Sequence, residues 1–207
     1  MGERMREWKF EIRNNKKAII FSLIFLAIAL ILNNFAGEYV DEKAKVSAVS
    51  DLILDHLPVI NLSFIFIWGY TLVIAIGLFY VLFFNVKDLH KAISQFSLLV
   101  LIRSFFISLT HLSAPVNAII IKMPHIYNVL VFHNDQFFSG HVAIAFLGFL
   151  LFRKEKIGIF FLIATFVMAL TVLLMHVHYS IDVFAAVFIT YGSFKIGEYM
   201  FKRINSY

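Results

Sequence analysis

Long apolar runs, each close to the length needed to cross a bilayer, dominate this sequence. A spanning helix needs about 20 mostly apolar residues, because the hydrocarbon layer is about 30 Å thick. Hydrophobic residues make up 61% of the 207 residues, against roughly 45–50% in soluble domains. The pattern predicts an all-α, polytopic membrane protein, a bundle of six transmembrane helices over about 18–35, 58–84, 92–112, 137–152, 157–176 and 181–201.

The chain starts with a polar segment of mixed charge, residues 1–17, which leads directly into the first apolar run. A signal peptide would have a shorter leading segment and a small-residue cleavage site after its apolar stretch. We therefore expect an uncleaved first span, with 1–17 as a cytoplasmic segment and 18–207 as one membrane-embedded domain. The sequence has no cysteine, which excludes disulfides and cysteine-ligated metals.

Lysine and arginine are unevenly distributed among the connections between the predicted spans. They are frequent in the N-terminal segment, in the second and fourth connections and at the C-terminal end, whereas the other side carries only Lys43, Lys45 and Lys122 beside several acidic residues. The positive-inside rule then predicts a multi-pass protein of the cell membrane with both termini in the cytoplasm. The net charge of +5 is explained by this topology, with some attraction to anionic lipid, so we expect no nucleic-acid partner.

The same topology brings distant polar residues to the extracytoplasmic face. The third span carries Arg103 in its middle or outer half, the fourth begins at Ser139-Gly140-His141, and the sixth begins near Asp182, just after His178. A polar set gathered on one face is typical of a site, since chance would scatter such residues over both faces. The sequence therefore predicts an active site at the extracytoplasmic interface.

The Ser139-Gly140-His141 tripeptide opens an apolar helix. A helix start offers free backbone N–H groups and a positive dipole end to a phosphate, and glycine allows the anion to approach closely. His141 is then placed to give a proton to a leaving oxygen. Alternatively, Ser139 is a simple helix cap and His141 an interfacial residue.

His178 and Asp182 are four residues apart and would meet on one helix face. A carboxylate that accepts a hydrogen bond from one imidazole nitrogen leaves the other nitrogen free as a nucleophile or base. The alternative is a purely structural His–Asp contact. Arg103, within an apolar run, would cost about 2.5–3.5 kcal/mol at the centre of a span, which a bound phosphate would offset.

Two segments carry a family resemblance: 134–141 (NDQFFSGH) and 178–183 (HYSIDV). They resemble the last two motifs of the type 2 phosphatidic acid phosphatase superfamily, and most closely those of its sphingomyelin synthase-like branch. Arg103 followed by Thr110 and Pro115 is similar to the arginine motif of that branch, and Leu57-Pro58 is weakly similar to its first-loop motif. The phosphatases' Lys-x6-Arg-Pro motif and the synthases' doubled arginine and loop cysteines do not occur here.

The resemblance implies a membrane-embedded lipid phosphatase or phosphotransferase that needs neither metal nor cofactor. It implies that His178 attacks phosphorus, that Asp182 orients His178, and that His141 protonates the departing alcohol. Arg103, Ser139 and Gly140 would hold the phosphate. The expected partner is a lipid phosphate or a phospholipid head group in the bilayer.

Two other functions fit parts of the pattern. A membrane metalloenzyme could use His141, His176, His178 and Asp182, although neither HExxH nor repeated histidine boxes occur. A transporter or a non-catalytic membrane protein would have polar residues near mid-membrane or on both faces. The remaining histidines have no partner at a defined spacing and are interpreted as loop or interface residues: His56, His90, His111, His125, His133 and His176.

Overall fold

The computed structural model describes residues 2–121 and 134–204, so that Lys122, His125 and His133 lie outside the described residues. Within these ranges the regular structure is helical. The α-helices are α1 (Gly2–Asn14), α2 (Lys16–Glu42), α3 (Tyr70–Phe84), α4 (Leu89–Leu109), α5 (Gly140–Phe152), α6 (Ile157–Leu174) and α7 (Ser180–Ile204). A π-helical turn, Ile65–Gly69, leads into α3, and single 3₁₀ turns occur at Leu54–His56 and Val86–Asp88.

Five of the described helical segments are long and apolar enough to cross a membrane: Lys16–Glu42, Ile65–Phe84, Val86–Leu109, Ile157–Leu174 and Ser180–Arg203. The all-α prediction is therefore confirmed, as is the prediction of several membrane-spanning helices. The predicted fourth span, 137–152, is shorter than expected, because its helix begins only at Gly140. At 1.5 Å per residue, α5 is roughly 20 Å long, less than the thickness of the hydrocarbon layer.

Large apolar side chains cover the outside of the bundle. Phe21, Phe166 and Phe188 are each more than 60% exposed, and similar residues recur along α2, α3, α6 and α7. An apolar surface of this extent is rare on a water-soluble monomer but is the expected surface towards lipid tails. The outer surface thus agrees with the helix lengths in indicating a membrane protein.

Small residues allow the helices to approach each other closely. Ala29, Ala36 and Gly37 of α2 are buried in the long contact between α2 and α4. Between α5 and α6, Gly148 lies directly against the buried ring of Phe161. Helix pairs in lipid are held by such close packing, since lipid tails offer no hydrophobic gain for burying one helix against another.

Two loops cover the end of the bundle at which α4 ends and α5 begins. The segment 44–62 and the segment 110–121 pair through Ser47, whose N–H donates to the His111 carbonyl and whose carbonyl accepts from Ser113 N–H. Each loop also bonds to the end of α6: Ile60 N–H donates to the Leu174 carbonyl, and Ile119 N–H donates to the Met175 carbonyl. The loops therefore form one layer over the start of α5 and α7.

The polar N-terminal segment is helical over most of its length. The indole Nε1 of Trp8 in α1 donates a 2.8 Å hydrogen bond to the carbonyl of Leu82, near the end of α3. The first apolar helix also extends further than the predicted span, to Glu42 instead of residue 35, because residues 36–42 remain helical up to the loop layer. There, the Asp41 carboxylate accepts a 2.8 Å hydrogen bond from Asn134 N–H.

The contact of Gly148 with Phe161 gives a test of this packing. A Cβ atom at Gly148 would overlap the Phe161 ring, which is only 1% exposed and has no space to move into. Gly148→Ala should therefore destabilise the protein by about 1–3 kcal/mol, the usual cost of overpacking a core. Gly192→Ala is the matched control, because no atom lies within 4 Å of its added Cβ. Thermal unfolding in detergent should show a lower midpoint for Gly148→Ala alone, and equal midpoints for the two variants would contradict the α5–α6 packing.

Candidate active site

Arg103 lies in the last third of α4, six residues before the helix ends, or roughly 9 Å below that end. Its Nη1 forms a 2.7 Å ion pair with the Asp135 carboxylate, and its Nε donates a 2.9 Å hydrogen bond to the Phe138 carbonyl. Nη2 makes a longer contact, 3.5 Å, with the Asp135 carbonyl. Three of the five guanidinium N–H donors are thus occupied, and two are left for a ligand.

The non-helical segment before α5 is buried against this arginine. Phe138 and Ser139 are fully buried, and an ideal Cβ on Gly140 would lie 3.4 Å from Nε and 3.5 Å from Cζ of Arg103. Any side chain larger than that of alanine at Gly140 would cover the guanidinium. Glycine therefore keeps the charged group next to the first turn of α5, whose backbone N–H groups have no partner within the helix.

Ser139 occupies the N-cap position of α5, but its side chain does not cap the helix. Its Oγ atom is buried and makes no hydrogen bond to a described residue, while its N–H donates a 3.2 Å hydrogen bond to the Asp182 carbonyl. Ser139 thus occupies the N-cap position without the side-chain hydrogen bond of a simple helix cap. The hydroxyl is a free donor beside the helix start, and the backbone bond joins α5 to the first turn of α7.

His141 lies in the first turn of α5, between two aromatic rings. Its centroid is 3.8 Å from that of Phe66 and 4.1 Å from that of Tyr70, and the imidazole also hydrogen-bonds the backbone of Phe66. His141 is close enough to both His178 and Arg103 for electrostatic interaction. Phe66 belongs to the π-helical turn, a rare geometry that often occurs at functional sites.

His178 lies in the turn between α6 and α7, not on the helix as the spacing suggested, because α7 begins at Ser180. Its Nδ1 is 3.6 Å from Oδ2 of Asp182, which is close for an ion pair but beyond hydrogen-bond distance. The same Oδ2 accepts a 2.9 Å hydrogen bond from Tyr179 N–H. Asp182 thus caps the start of α7, as an acidic residue three positions into a helix commonly does, and it also faces His178.

Several buried polar atoms of this region lack a hydrogen-bond partner among the described residues. They are Oδ1 of Asp135, Oγ of Ser139, Nδ1 of His178 and Oδ1 of Asp182. Buried polar atoms are nearly always satisfied in folded proteins, and a cluster of exceptions indicates a site that binds water or a ligand. All four atoms belong to the two predicted motifs.

The predicted site residues therefore lie together. Arg103 contacts Gly140, Ser139 bonds to Asp182, Asp182 faces His178, and His141 interacts with His178 and Arg103. Residues from α4, the start of α5 and the start of α7 build one cluster. Such an arrangement offers an anion a guanidinium, a helix start and a hydroxyl, with two imidazoles beside them.

Sequence analysis missed the residues that support this cluster. Asp135 belongs to segment 134–141, but its ion pair with Arg103 could not be predicted without knowing that this segment packs against α4. Phe66 and Tyr70, which enclose His141, are unremarkable among the many aromatic residues of the spans. Asp51 and Tyr179 connect the loop layer to the start of α7 through hydrogen bonds. The Tyr179 hydroxyl accepts from Val49 N–H at 3.2 Å and donates to the Ser113 carbonyl at 3.1 Å, so it joins the two loops of the loop layer.

A cavity of about 480 Å³ lies beside the cluster, in the loop layer. Asp51, Pro115, His176 and Tyr179 are among its lining residues. His176 is buried, has a left-handed backbone (φ 53°), and its Nε2 makes no hydrogen bond to a described residue. It was expected in a loop, and it lies in the turn two residues before His178.

The other described histidines have different contacts. His56 is in a 3₁₀ turn and contacts the Leu52 carbonyl, His111 packs on Tyr39, and His90 is in the first turn of α4 beside Phe201. Within residues 2–121 and 134–204, no group of three or more histidine or carboxylate side chains has an arrangement suited to a metal ion. Comparison with known proteins gave no matching family model and no matching curated protein.

Asp51 links the loop layer to α7. Its Oδ2 accepts a 2.7 Å hydrogen bond from Ser180 N–H, and its Oδ1 accepts from the N–H groups of Ile53 and Leu54. Burial raises the pKa of this carboxyl, but the hydrogen bonds from Leu54, Ser180 and Ile53 outweigh burial and hold the pKa below its usual 3.8. The ionised form therefore stabilises the fold above pH 3.8, and this contribution is lost as the pH falls through the lowered pKa.

Asp51→Asn should lower the unfolding midpoint at pH 7, because the amide has no negative charge and only one acceptor oxygen, whereas both carboxylate oxygens accept backbone hydrogen bonds. The difference from the parent protein should shrink as the pH falls from 3.8 through the lowered pKa of Asp51, where the carboxyl loses its charge in the folded protein as well. Asp55→Asn, at an exposed position nearby, is the control and should leave the midpoint unchanged. A difference between Asp51→Asn and the parent that is constant from pH 7 to pH 3 would contradict this account.

Proposed function

We propose that the chain is a membrane-embedded, metal-independent lipid phosphatase or lipid head-group phosphotransferase that works through a phosphohistidine. The observation that carries this proposal is the convergence of Arg103 and the start of α5 with the His178–Asp182 pair. An anion-binding surface next to an oriented imidazole is what transfer of a phosphoryl group to a histidine requires. The resemblance to the type 2 phosphatidic acid phosphatase superfamily supports the same chemistry.

In the first step, the phosphate would lie against Arg103 and the first turn of α5. Two guanidinium N–H donors, the Ser139 hydroxyl and the free N–H groups of the helix start would hold its oxygens. His178 would attack phosphorus through Nε2, since its Nδ1 faces Asp182. A P–N bond forms as the P–O bond to the alcohol breaks, and His141 gives that leaving oxygen its proton.

In the second step, a hydroxyl group attacks the phosphohistidine. His141, now neutral, takes the proton from this hydroxyl, a new P–O bond forms, and the P–N bond to His178 breaks. With water, the product is a free phosphate or phosphoryl head group. With a lipid alcohol, the product is a new phospholipid. Both reactions share the first step and differ only in the molecule that enters the site.

The predicted topology determines on which side of the membrane we propose the site. We propose a six-segment bundle in the cell membrane, with α5 as the short segment, both termini in the cytoplasm and the cluster at the extracytoplasmic interface. The support is the lysine and arginine bias of the connections. A lipid substrate can then enter from the outer leaflet beside α4 and α5.

Two alternatives are a non-catalytic membrane protein or transporter and, less favoured, a metalloenzyme with histidine ligands. The site contacts favour an anion over a metal ion, because the guanidinium of Arg103 lies beside the histidines and would repel a cation. Vanadate, a phosphate analogue, should inhibit the phosphoryl-transfer enzyme, and chelators should have no effect. A metalloenzyme would show the opposite pattern.

The test is to trap labelled phosphate on the purified protein, with an alkaline quench because phosphohistidine is labile to acid. His178→Ala should trap none from any substrate. His141→Ala should trap none from a lipid phosphate but should retain partial labelling from an activated aryl phosphate, whose leaving group needs no proton. The labelling of Asp182→Asn should lie between that of the two histidine variants. Asparagine can still accept the hydrogen bond from Tyr179 N–H, but it disturbs the orientation of His178.

His56→Ala is the matched control, since this exposed histidine hydrogen-bonds the Leu52 carbonyl and no residue of the cluster, and its labelling should equal that of the parent. A chase with water or with diacylglycerol then distinguishes a phosphatase from a phosphotransferase, because released phosphate means hydrolysis and a new phospholipid means transfer. Labelling that survives in His178→Ala but not in His141→Ala would reverse the two roles. Labelling unaffected by either substitution would exclude the phosphohistidine mechanism.

A further inference from the structure

The N-terminal helix α1 has an inner face that fixes it to the bundle. Trp8 bonds to the Leu82 carbonyl through its indole nitrogen, and Ile12 packs against the main hydrophobic core. These two residues are four apart and therefore lie on the same side of the helix. α1 is thus a docked element with a fixed orientation.

A different face of α1 carries exposed positive charge. Arg6, Lys9 and Arg13 are all exposed, and their spacing of three and four residues aligns them in one strip. Phe10 projects beside this strip and is 61% exposed. We call these four residues the basic strip. In the sequence, glutamates recur at every fourth position from Glu3 and thus follow a separate line along the helix.

The chain connectivity holds the basic strip at a membrane surface. Only Asn15 separates α1 from α2, a candidate membrane span that begins with the exposed Lys16 and Lys17. Leu82, to which Trp8 is bonded, lies 16 residues along the helix from Phe66 at the candidate active site, or roughly 24 Å. α1 therefore lies at the end of the bundle opposite to the candidate active site.

We infer that the basic strip binds the head groups of anionic phospholipids in the leaflet next to α1. Basic side chains that flank an exposed aromatic ring are the features of a helix that lies in a membrane interface, with the ring among the acyl chains and the charges at the phosphates. A docked helix presents this arrangement without loss of conformational freedom on binding. The inference is independent of the chemistry proposed at His178.

The experiment uses the full chain in an uncharged detergent, in a Trp68→Phe background. The sequence has two tryptophans, so Trp8 is then the only one and reports on α1. Titration with short-chain phosphatidylglycerol should change Trp8 fluorescence saturably, and phosphatidylcholine should not. Added salt should weaken the binding, because exposed charges are screened. Lys9→Gln/Arg13→Gln should bind phosphatidylglycerol on the order of 20-fold more weakly, about fivefold for each charge.

Lys154→Gln/Lys156→Gln is the matched control, because it removes two exposed positive charges from another connection, between α5 and α6. Its affinity should equal that of the parent. The inference is overturned if phosphatidylcholine binds as tightly as phosphatidylglycerol, if the α1 variant keeps the parent affinity, or if both double variants weaken equally. Equal weakening would mean diffuse attraction to net charge and no site on α1.

Discussion

A partly buried guanidinium organises the candidate site of this protein. Arg103 lies inside a helix bundle, where a charge without partners would be costly, and its ion pair with Asp135 and its bond to the Phe138 carbonyl offset that cost. The same contacts hold the non-helical segment before α5 inside the protein. Irregular backbone is tolerated in a membrane protein only where protein or a polar cavity covers it, and the contacts with Arg103 provide such cover for the segment before α5.

The remaining contacts depend on where α5 begins. Gly140 lies against the guanidinium, and Ser139 N–H reaches the Asp182 carbonyl, which brings the start of α7 beside the start of α5. The loop layer then fixes α7 from above, through Asp51 at Ser180 N–H and through Tyr179 between the two loops. His178, in the turn between these anchors, is held by its neighbours on both sides. A fixed position is what the proposed nucleophilic role of His178 would require, because geometry contributes much of an enzyme's rate.

The sequence predicted the all-helical membrane architecture, but not the contacts that hold Arg103 and His141 in place. Apolar length alone predicted a helical chain with several membrane-spanning helices, because a bilayer demands that length, and the polar segments 139–141 and 178–182 were predicted as a site from the sequence. The start of α5 was misjudged, since hydropathy cannot show that Phe137 and Phe138 precede the helix in a buried, non-helical segment. The position of His178 was also misjudged, because spacing cannot tell a helix from the turn before it. The partner of Arg103 and the aromatic enclosure of His141 depend on which segments meet, which one sequence does not reveal.

The central claim is that one phosphate can contact Arg103, the start of α5 and His178 at once. An experimental structure with bound orthovanadate tests it most directly, because vanadate adopts the five-coordinate geometry of phosphoryl transfer. The account predicts vanadium bonded to Nε2 of His178, oxygens facing Arg103 and the first N–H groups of α5, and His141 next to the oxygen opposite His178. Vanadate bound elsewhere, or absent from this cluster at saturating concentration, would contradict it.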